Sequence, residues 1–257
     1  MSQFAFHQFI CRSDNYGLLL HDGKTGATAA IDAPDAAAVE GQLDRLGWTL
    51  TDILTTHHHG DHVEGNIALQ QRYGCNITGP RHEAAQIPGI RREVTGGDTF
   101  TWADREILVW DCPGHTLGHV AYIMPAENAA FAGDTLFSLG CGRVFEGTLE
   151  DMYRSVSQFK SLPPGTMLFC GHEYTQSNAR FALSVEPGNV SLQERAAEIS
   201  GLRAAGKMTC PSTIGAELAT NPFLRTGSQE IRAGLGMNDA TDEEVFAELR
   251  QRKDSFS

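Results

Sequence analysis

The segment TTHHHGDH, residues 55–62, puts four of the chain's ten histidines and one aspartate into the six positions from His57 to His62. Alternate side chains of an extended backbone project to the same side, so His57 and His59 face a common point while His58 faces away. Asp61 and His62 fall in the first turn of the helix expected to follow and emerge beside that pair. Imidazole and carboxylate are borderline-to-hard ligands suited to zinc, iron or manganese. Five such groups in one segment exceed what a single tetrahedral ion takes, which points to two divalent ions. Crowding imidazoles and a carboxylate in this way is wasteful unless a cation organises them.

Such donors need rigid elements to aim them. In four places a predicted strand runs directly into a polar group: ILTTHHHGDH, LVWDCPGHT, AAFAGDT and LFCGHE. The last three add His115, Asp134 and His172, each at the glycine-flanked end of a strand, where a sheet holds binding and catalytic groups in its loops. Upstream, FAFHQFIC, YGLLLHD and ATAAID read as strands. DAAAVEGQLDRLG reads as a helix closed by Gly47, and GDHVEGNIALQQRYG as a helix capped by Gly74, with Val63 and Ile67 four apart on one face. From about Gly171 the texture turns helical: TQSNARFALSVEP, SLQERAAEISGLRAAG and DEEVFAELRQRKDSF. An α/β chain with a small helical C-terminal region follows from this pattern.

At 257 residues the chain can bury a large α/β core plus an appendage, and 41% apolar with 20% charged residues is ordinary for a soluble protein. Thirty-two acids against 20 bases, a net charge of -12, argue against broad nucleic-acid binding. Any anionic ligand must find a local basic patch or a metal. Neither a secretory signal pattern nor an apolar run of membrane-spanning length is present, so the expectation is a cytoplasmic monomer with no membrane partner. The six cysteines lack any C-x-x-C pair and read as free thiols in a reducing compartment. Cys141, in the GCGR loop, reads as a packed thiol and not as a nucleophile.

The set His57, His59, Asp61, His62, His115, Asp134 and His172 resembles the ligand set of the metallo-β-lactamase superfamily. Within it, GDTLFSLGCGRVFEGT, CGHEYTQSNARFA, PSTIGAELATNPFLR and RQRKDSF resemble the hydroxyacylglutathione hydrolases (glyoxalase II), and the resemblance runs from about residue 3 to the last residues. It implies a four-layer αβ/βα sandwich over residues 1–171 and a helical substrate-binding domain over 172–257 that contributes His172. It further implies one metal held by His57, His59 and His115, a second by Asp61, His62 and His172, and Asp134 bridging the two. Zinc is the first expectation, with iron and manganese also occurring in the family. The implied reaction is hydrolysis of S-(2-hydroxyacyl)glutathione, chiefly S-D-lactoylglutathione, to D-lactate and glutathione, the second step of methylglyoxal detoxification. A water shared by the ions is activated for attack, with Asp61 and Asp134 offsetting their charge. Arg143, Tyr174, Arg250 and Lys253 are the implied substrate-binding residues; Arg250 and Lys253 are three apart and share a helix face. The sequence departs from the family in carrying Phe145 where a tyrosine is frequent and Arg143 where lysine is common.

A glutathione persulfide dioxygenase with a single iron is the alternative within the superfamily. It needs a mononuclear site with open positions, against which the complete second ligand set speaks. A β-lactam hydrolase is disfavoured by the missing export signal and the cationic tail. A zinc-stabilised binding module would close its ligand shell and leave no labile water. His82 and His119 read as surface or supporting residues, and Asp32 and Glu173 as structural carboxylates.

Overall fold

A computed structural model describes residues 4–256. The chain divides into two compact units, the described part of Met1–Asp111 with Leu117–Glu127, and Cys112–Thr116 with Asn128–Ser257.

The first unit opens with β1 (Phe4–Cys11) and β2 (Asn15–Asp22), an antiparallel pair, followed by β3 (Thr28–Ile31), antiparallel to β2. Helix α1 (Ala36–Leu46) follows from its ends: the Asp35 carboxylate accepts from Ala38 N at 2.9 Å, and Gly47 closes it in left-handed backbone, φ 69°. Its Val39 and Leu43, four apart, are buried. Then β4 (Asp52–Leu54), β5 (Asn76–Pro80) and β6 (Arg92–Val94) add in parallel, giving the order β1-β2-β3-β4-β5-β6. Leu19, Ala30, Leu43, Ile53, Leu69 and Ile77 lie in the core between this sheet and its helices. An antiparallel set, β7 (Thr99–Trp102), β8 (Arg105–Asp111) and β9 (Val120–Met124), completes the unit.

The helix expected from Gly60 to Gly74 is two helices, α2 (Gly60–Val63) and α3 (Asn66–Tyr73). The break is at Gly65, whose N–H donates to Ala33 O at 2.9 Å and where a Cβ would lie 2.8 Å from that oxygen. The chain is drawn against the end of β3, and the helical ladder gives way. In consequence Val63 is buried while Ile67 is exposed, contrary to the shared face that their spacing predicts.

In the second unit β10 (Ala129–Phe131) and β13 (Met167–Phe169) pair in parallel, and β14 (Ser212–Thr213) pairs antiparallel to β13. Between them lie a hairpin of β11 (Leu136–Phe137) and β12 (Gly140–Cys141) and the helix α4 (Leu149–Gln158), which begins in a capping box of Thr148 and Asp151. The C-terminal helices are α5 (Thr175–Val185), α6 (Val190–Ala204), α7 (Ile214–Thr220), α8 (Gln229–Leu235) and α9 (Asp242–Asp254). Leu139, Ala182, Leu192 and Ile199 form one core cluster among them.

Candidate metal centre

Four donors stand on the first unit. Beyond β4 the chain runs extended through His57 to His59, which precedes α2 with φ -57°, ψ 143°. Asp61 and His62 occupy the first turn of that helix. His57 Nε2 and His59 Nδ1 are 3.1 Å apart, and the rings of His57 and His62 lie 4.1 Å apart, centre to centre. His58 Nδ1 lies 2.9 Å from Glu83 Oε2, and its ring is 5.0 Å from that of His59, centre to centre, so it is not turned away from its neighbour as strict alternation predicts.

Three donors stand on the second unit. Asp134 follows β10 and His172 follows β13, the two parallel neighbours, and Gly171 N donates to Gly133 O at 2.9 Å, so the two loops leave the sheet side by side. His115 lies in the loop after β8. Asp134 Oδ2 is 3.4 Å from His115 Nε2 and 3.3 Å from His172 Nε2. All three side chains are buried.

The donor chemistry fits divalent cations. His115 Nδ1 faces the carbonyl oxygen of Arg143 at 2.9 Å, so in the neutral imidazole Nδ1 carries the proton and Nε2 keeps its lone pair. That lone pair is turned toward a carboxylate oxygen, two acceptors face to face, an arrangement a cation resolves. The same logic holds in the first unit. His62 Nδ1 is 2.8 Å from Asp32 Oδ2, leaving Nε2 as the ligating atom. The Thr56 hydroxyl donates to Asp32 Oδ2 at 2.9 Å and thereby accepts from His57 Nδ1 at 3.0 Å. Both units thus contribute His and Asp donors of the kind that hold divalent metal ions.

Asp32 was read from sequence as a structural carboxylate, and its contacts give it a larger part. Buried, in left-handed backbone at φ 58°, it accepts from Thr56 N at 2.7 Å as well as from the two groups above, and so fixes the tautomers of two ligands. Asn15 was not singled out by sequence; its amide donates to both Asp61 O and Asp61 Oδ2 at 3.1 Å. Its signal was a polar residue at the start of an otherwise apolar strand. His119 is fully buried and stacked on the His57 ring at 4.8 Å, whereas His82 is exposed. Glu173 accepts from Thr209 N and Oγ1 and pairs with Arg203.

The four residues expected to bind substrate lie in the second unit. The Tyr174 ring stacks on His172 at 4.8 Å with 2° between planes. Arg143, on the loop after β12, is exposed, its Nε 3.7 Å from Asp254. Lys253 Nζ reaches Ser177 Oγ at 3.1 Å; burial, with Arg250, Arg180 and Arg143 nearby, pushes its pKa down to about 8. Arg250 is only 3% exposed, and its guanidinium donates to Cys141 O and to Asp254, each at 2.8 Å. It therefore braces the hairpin loop that leads to Arg143, while its Nε has no hydrogen-bond partner among the described residues. Phe145 is 62% exposed, its ring 5.2 Å from that of His115. Cys141 is buried and its pKa is raised to about 11, chiefly by that burial, consistent with a packed thiol.

Residues 22–172 match the metallo-beta-lactamase superfamily, and residues 173–256 match the hydroxyacylglutathione hydrolase C-terminus. A hydroxyacylglutathione hydrolase of Brucella anthropi is 59% identical over 99% of this chain and 98% of its own length. One from Brucella ovis is 58% identical over 99% of each. Among solved structures, ETHE1 from Myxococcus xanthus (22% identity, TM-score 0.67) is covered over its whole length by 98% of this chain. The BLEG-1 B3 metallo-beta-lactamase (21% identity, TM-score 0.67) matches over 86% of this chain and 99% of its own. At such identities these two likenesses establish the fold. With a metallo-beta-lactamase fold, a matching C-terminal helical region and near-full-length relatives at this identity, the chain belongs to the hydroxyacylglutathione hydrolase family.

Proposed function

We propose that this chain hydrolyses thioesters of glutathione with 2-hydroxy acids, chiefly S-D-lactoylglutathione, releasing D-lactate and glutathione in the second step of methylglyoxal detoxification. One observation carries the reading: a single oxygen of Asp134 meets the Nε2 atoms of both His115 and His172, as a carboxylate bridging two cations would. On this reading His57, His59 and His115 hold one ion, Asp61, His62 and His172 the other, and Asp134 is shared. Zinc is the first choice for both, and iron or manganese would suit the same ligands. Bound there, two divalent ions would supply Lewis acidity and lower the pKa of water toward neutrality.

The chain's own groups do the rest. Asp61 and Asp134 offset part of the cationic charge, and Asp32 holds His57 and His62 in the ligating tautomer. Glutathione brings two carboxylates against one amine. Arg143 and Lys253 offer the cations to meet them, with Arg250 bracing the loop between and Tyr174 supplying an aromatic face. Residues 1–171 are then the catalytic domain and 172–257 the substrate-binding domain. A cytoplasmic monomer, with no nucleic-acid or membrane partner, completes the proposal; no described helix is long and apolar enough to cross a membrane.

The test is hydrolysis of S-D-lactoylglutathione by purified, metal-loaded protein, beside the His59→Ala variant. Thioester cleavage that falls at least about 100-fold in the variant is expected. Intact thioester with both proteins would refute the proposal. Oxygen uptake on glutathione persulfide, with about one iron per chain, would replace it with the dioxygenase alternative.

A further inference from the structure

His58 stands between two histidines proposed as ligands, and a buried carboxylate meets both its backbone and its ring. Glu83, in the short 3-10 turn Arg81–Gln86 after β5, is 4% exposed. Its Oε2 accepts from His58 N at 2.7 Å and lies 2.9 Å from His58 Nδ1, while Oε1 accepts from Gly118 N at 2.8 Å. One buried carboxylate thus joins the backbone of the ligand segment to the backbone just before β9. Glycine at 118 permits the approach, since a Cβ there would lie 2.6 Å from Glu83 Cγ and 2.8 Å from His82 Cβ.

The neighbouring positions of the segment are each held by a different group. Tyr122 Oη donates to Thr55 O at 2.8 Å, Val120 N donates to Thr56 O at 2.9 Å, and Asp32 accepts from Thr56 N. At 58 the clamp is Glu83, and the two residues it separates are His57 and His59. A ligand pair on an extended backbone keeps its spacing only if the intervening peptide is fixed, and donors must be held within a fraction of an ångström for a metal to bind tightly.

We propose that Glu83 is a positioning residue of the metal centre: acting on His58 and Gly118, its carboxylate sets the disposition of His57 and His59, so metal affinity depends on a side chain outside the proposed ligand set. The inference rests on reading residues 57–62 as metal-holding. Glutamine in its place keeps one acceptor oxygen and turns an amide N–H toward a backbone N–H, so one of the two backbone contacts is lost.

The experiment compares zinc affinity, by competition with a chromophoric chelator, and the visible spectrum of the cobalt(II)-loaded protein in the wild type, Glu83→Gln, His58→Ala and Glu217→Gln. Glu217 is a buried carboxylate that accepts from Leu139 N at 2.8 Å in the second unit, and serves as the structural control. Glu83→Gln should weaken zinc binding about 10- to 100-fold and shift the cobalt bands, with KM at saturating zinc unchanged. His58→Ala, which removes only the imidazole contact, should weaken it less, and Glu217→Gln should lower Tm alone. Wild-type zinc affinity in Glu83→Gln, whatever its Tm, overturns the proposal. Should that variant not fold, wild-type affinity in Glu83→Asp, whose shorter side chain cannot span both backbone N–H groups, overturns it equally. A wild type that binds zinc but leaves the thioester intact would overturn the functional reading and not this one.

Discussion

Asp32 occupies left-handed backbone, rare for a residue with a Cβ, and three donors converge on its carboxylate. Its consequence for function is a tautomer. An aspartate facing His62 Nδ1 can only accept, so the proton sits on Nδ1 and Nε2 keeps its lone pair. Asp32→Asn keeps the shape but can present an amide donor to Nδ1, favouring the tautomer with Nε2 protonated, and zinc affinity measured by titration should fall about 10- to 100-fold. A second prediction concerns Lys253. Burial and the cations of Arg250, Arg180 and Arg143 favour its neutral form, with the pKa at about 8, so it is charged below that pH and neutral above it. KM for the dianionic thioester should therefore rise as pH passes from 7 to 9, with the larger change above 8. Lys253→Arg, which stays protonated throughout this range, should flatten that profile. A wild-type KM that is constant across the range would show that Lys253 does not meet the substrate.

Elements differ in how legible they were. Helix α1 carries its ends in its sequence, an Asp35 cap and Gly47, and was read to within a residue. The strands that lead to His57, Asp134 and His172 show in the sequence as apolar runs meeting polar groups, and this is why those residues stand out as candidate donors. The split between α2 and α3 was not, because Gly65 breaks the helix through a contact with Ala33, a residue more than thirty positions upstream. Helix α4 went unread although TLED spells its capping box, and α7 and α8, seven residues each, are too short to show a periodicity. The supporting carboxylates Asp32 and Glu83 were hidden for the same reason as Gly65: their partners are distant in sequence. The hairpin of β11 and β12 shows the functional cost of such contacts. Arg250, on α9, holds Cys141 O, and the next residues lead to Arg143. Arg250→Ala removes a charge-assisted bond worth about 1.5–3 kcal/mol, so urea denaturation should register a loss of that order. KM should rise about 10-fold or more, with kcat changing far less, because the loop carrying Arg143, proposed to hold a remote part of the substrate, loses its brace. A drop in kcat at unchanged KM would assign Arg250 to the chemistry instead.

At the scale of the whole chain, charge and metal set opposite demands. A net charge of -12 disfavours a substrate bearing two carboxylates, but salt screens that charge beyond a Debye length, about 10 Å at 0.1 M, so local charges decide at the site. Attraction must be local, to the cluster of Arg143, Arg180, Arg250 and Lys253 and to bound cations. The same cations act on stability. Within the second unit Asp134 Oδ2 lies against the Nε2 atoms of His115 and His172, a crowding of acceptors that costs folding and that bound metal would offset. Metal that binds the native state and not the unfolded chain adds about 2.7 kcal/mol per site when free metal is 100 times its dissociation constant. For a chain near this size 1 kcal/mol is about 2–4 °C of Tm, so chelation should lower Tm by about 5–10 °C for each site emptied. Calorimetry with stepwise removal and return of zinc checks this against activity on the thioester. Under the proposed pairing, in which both ions would share Asp134, two sites of unequal affinity should give two steps in Tm, with turnover lost at the first. A single step with one zinc per chain, or activity that persists until the last ion leaves, would contradict a paired centre.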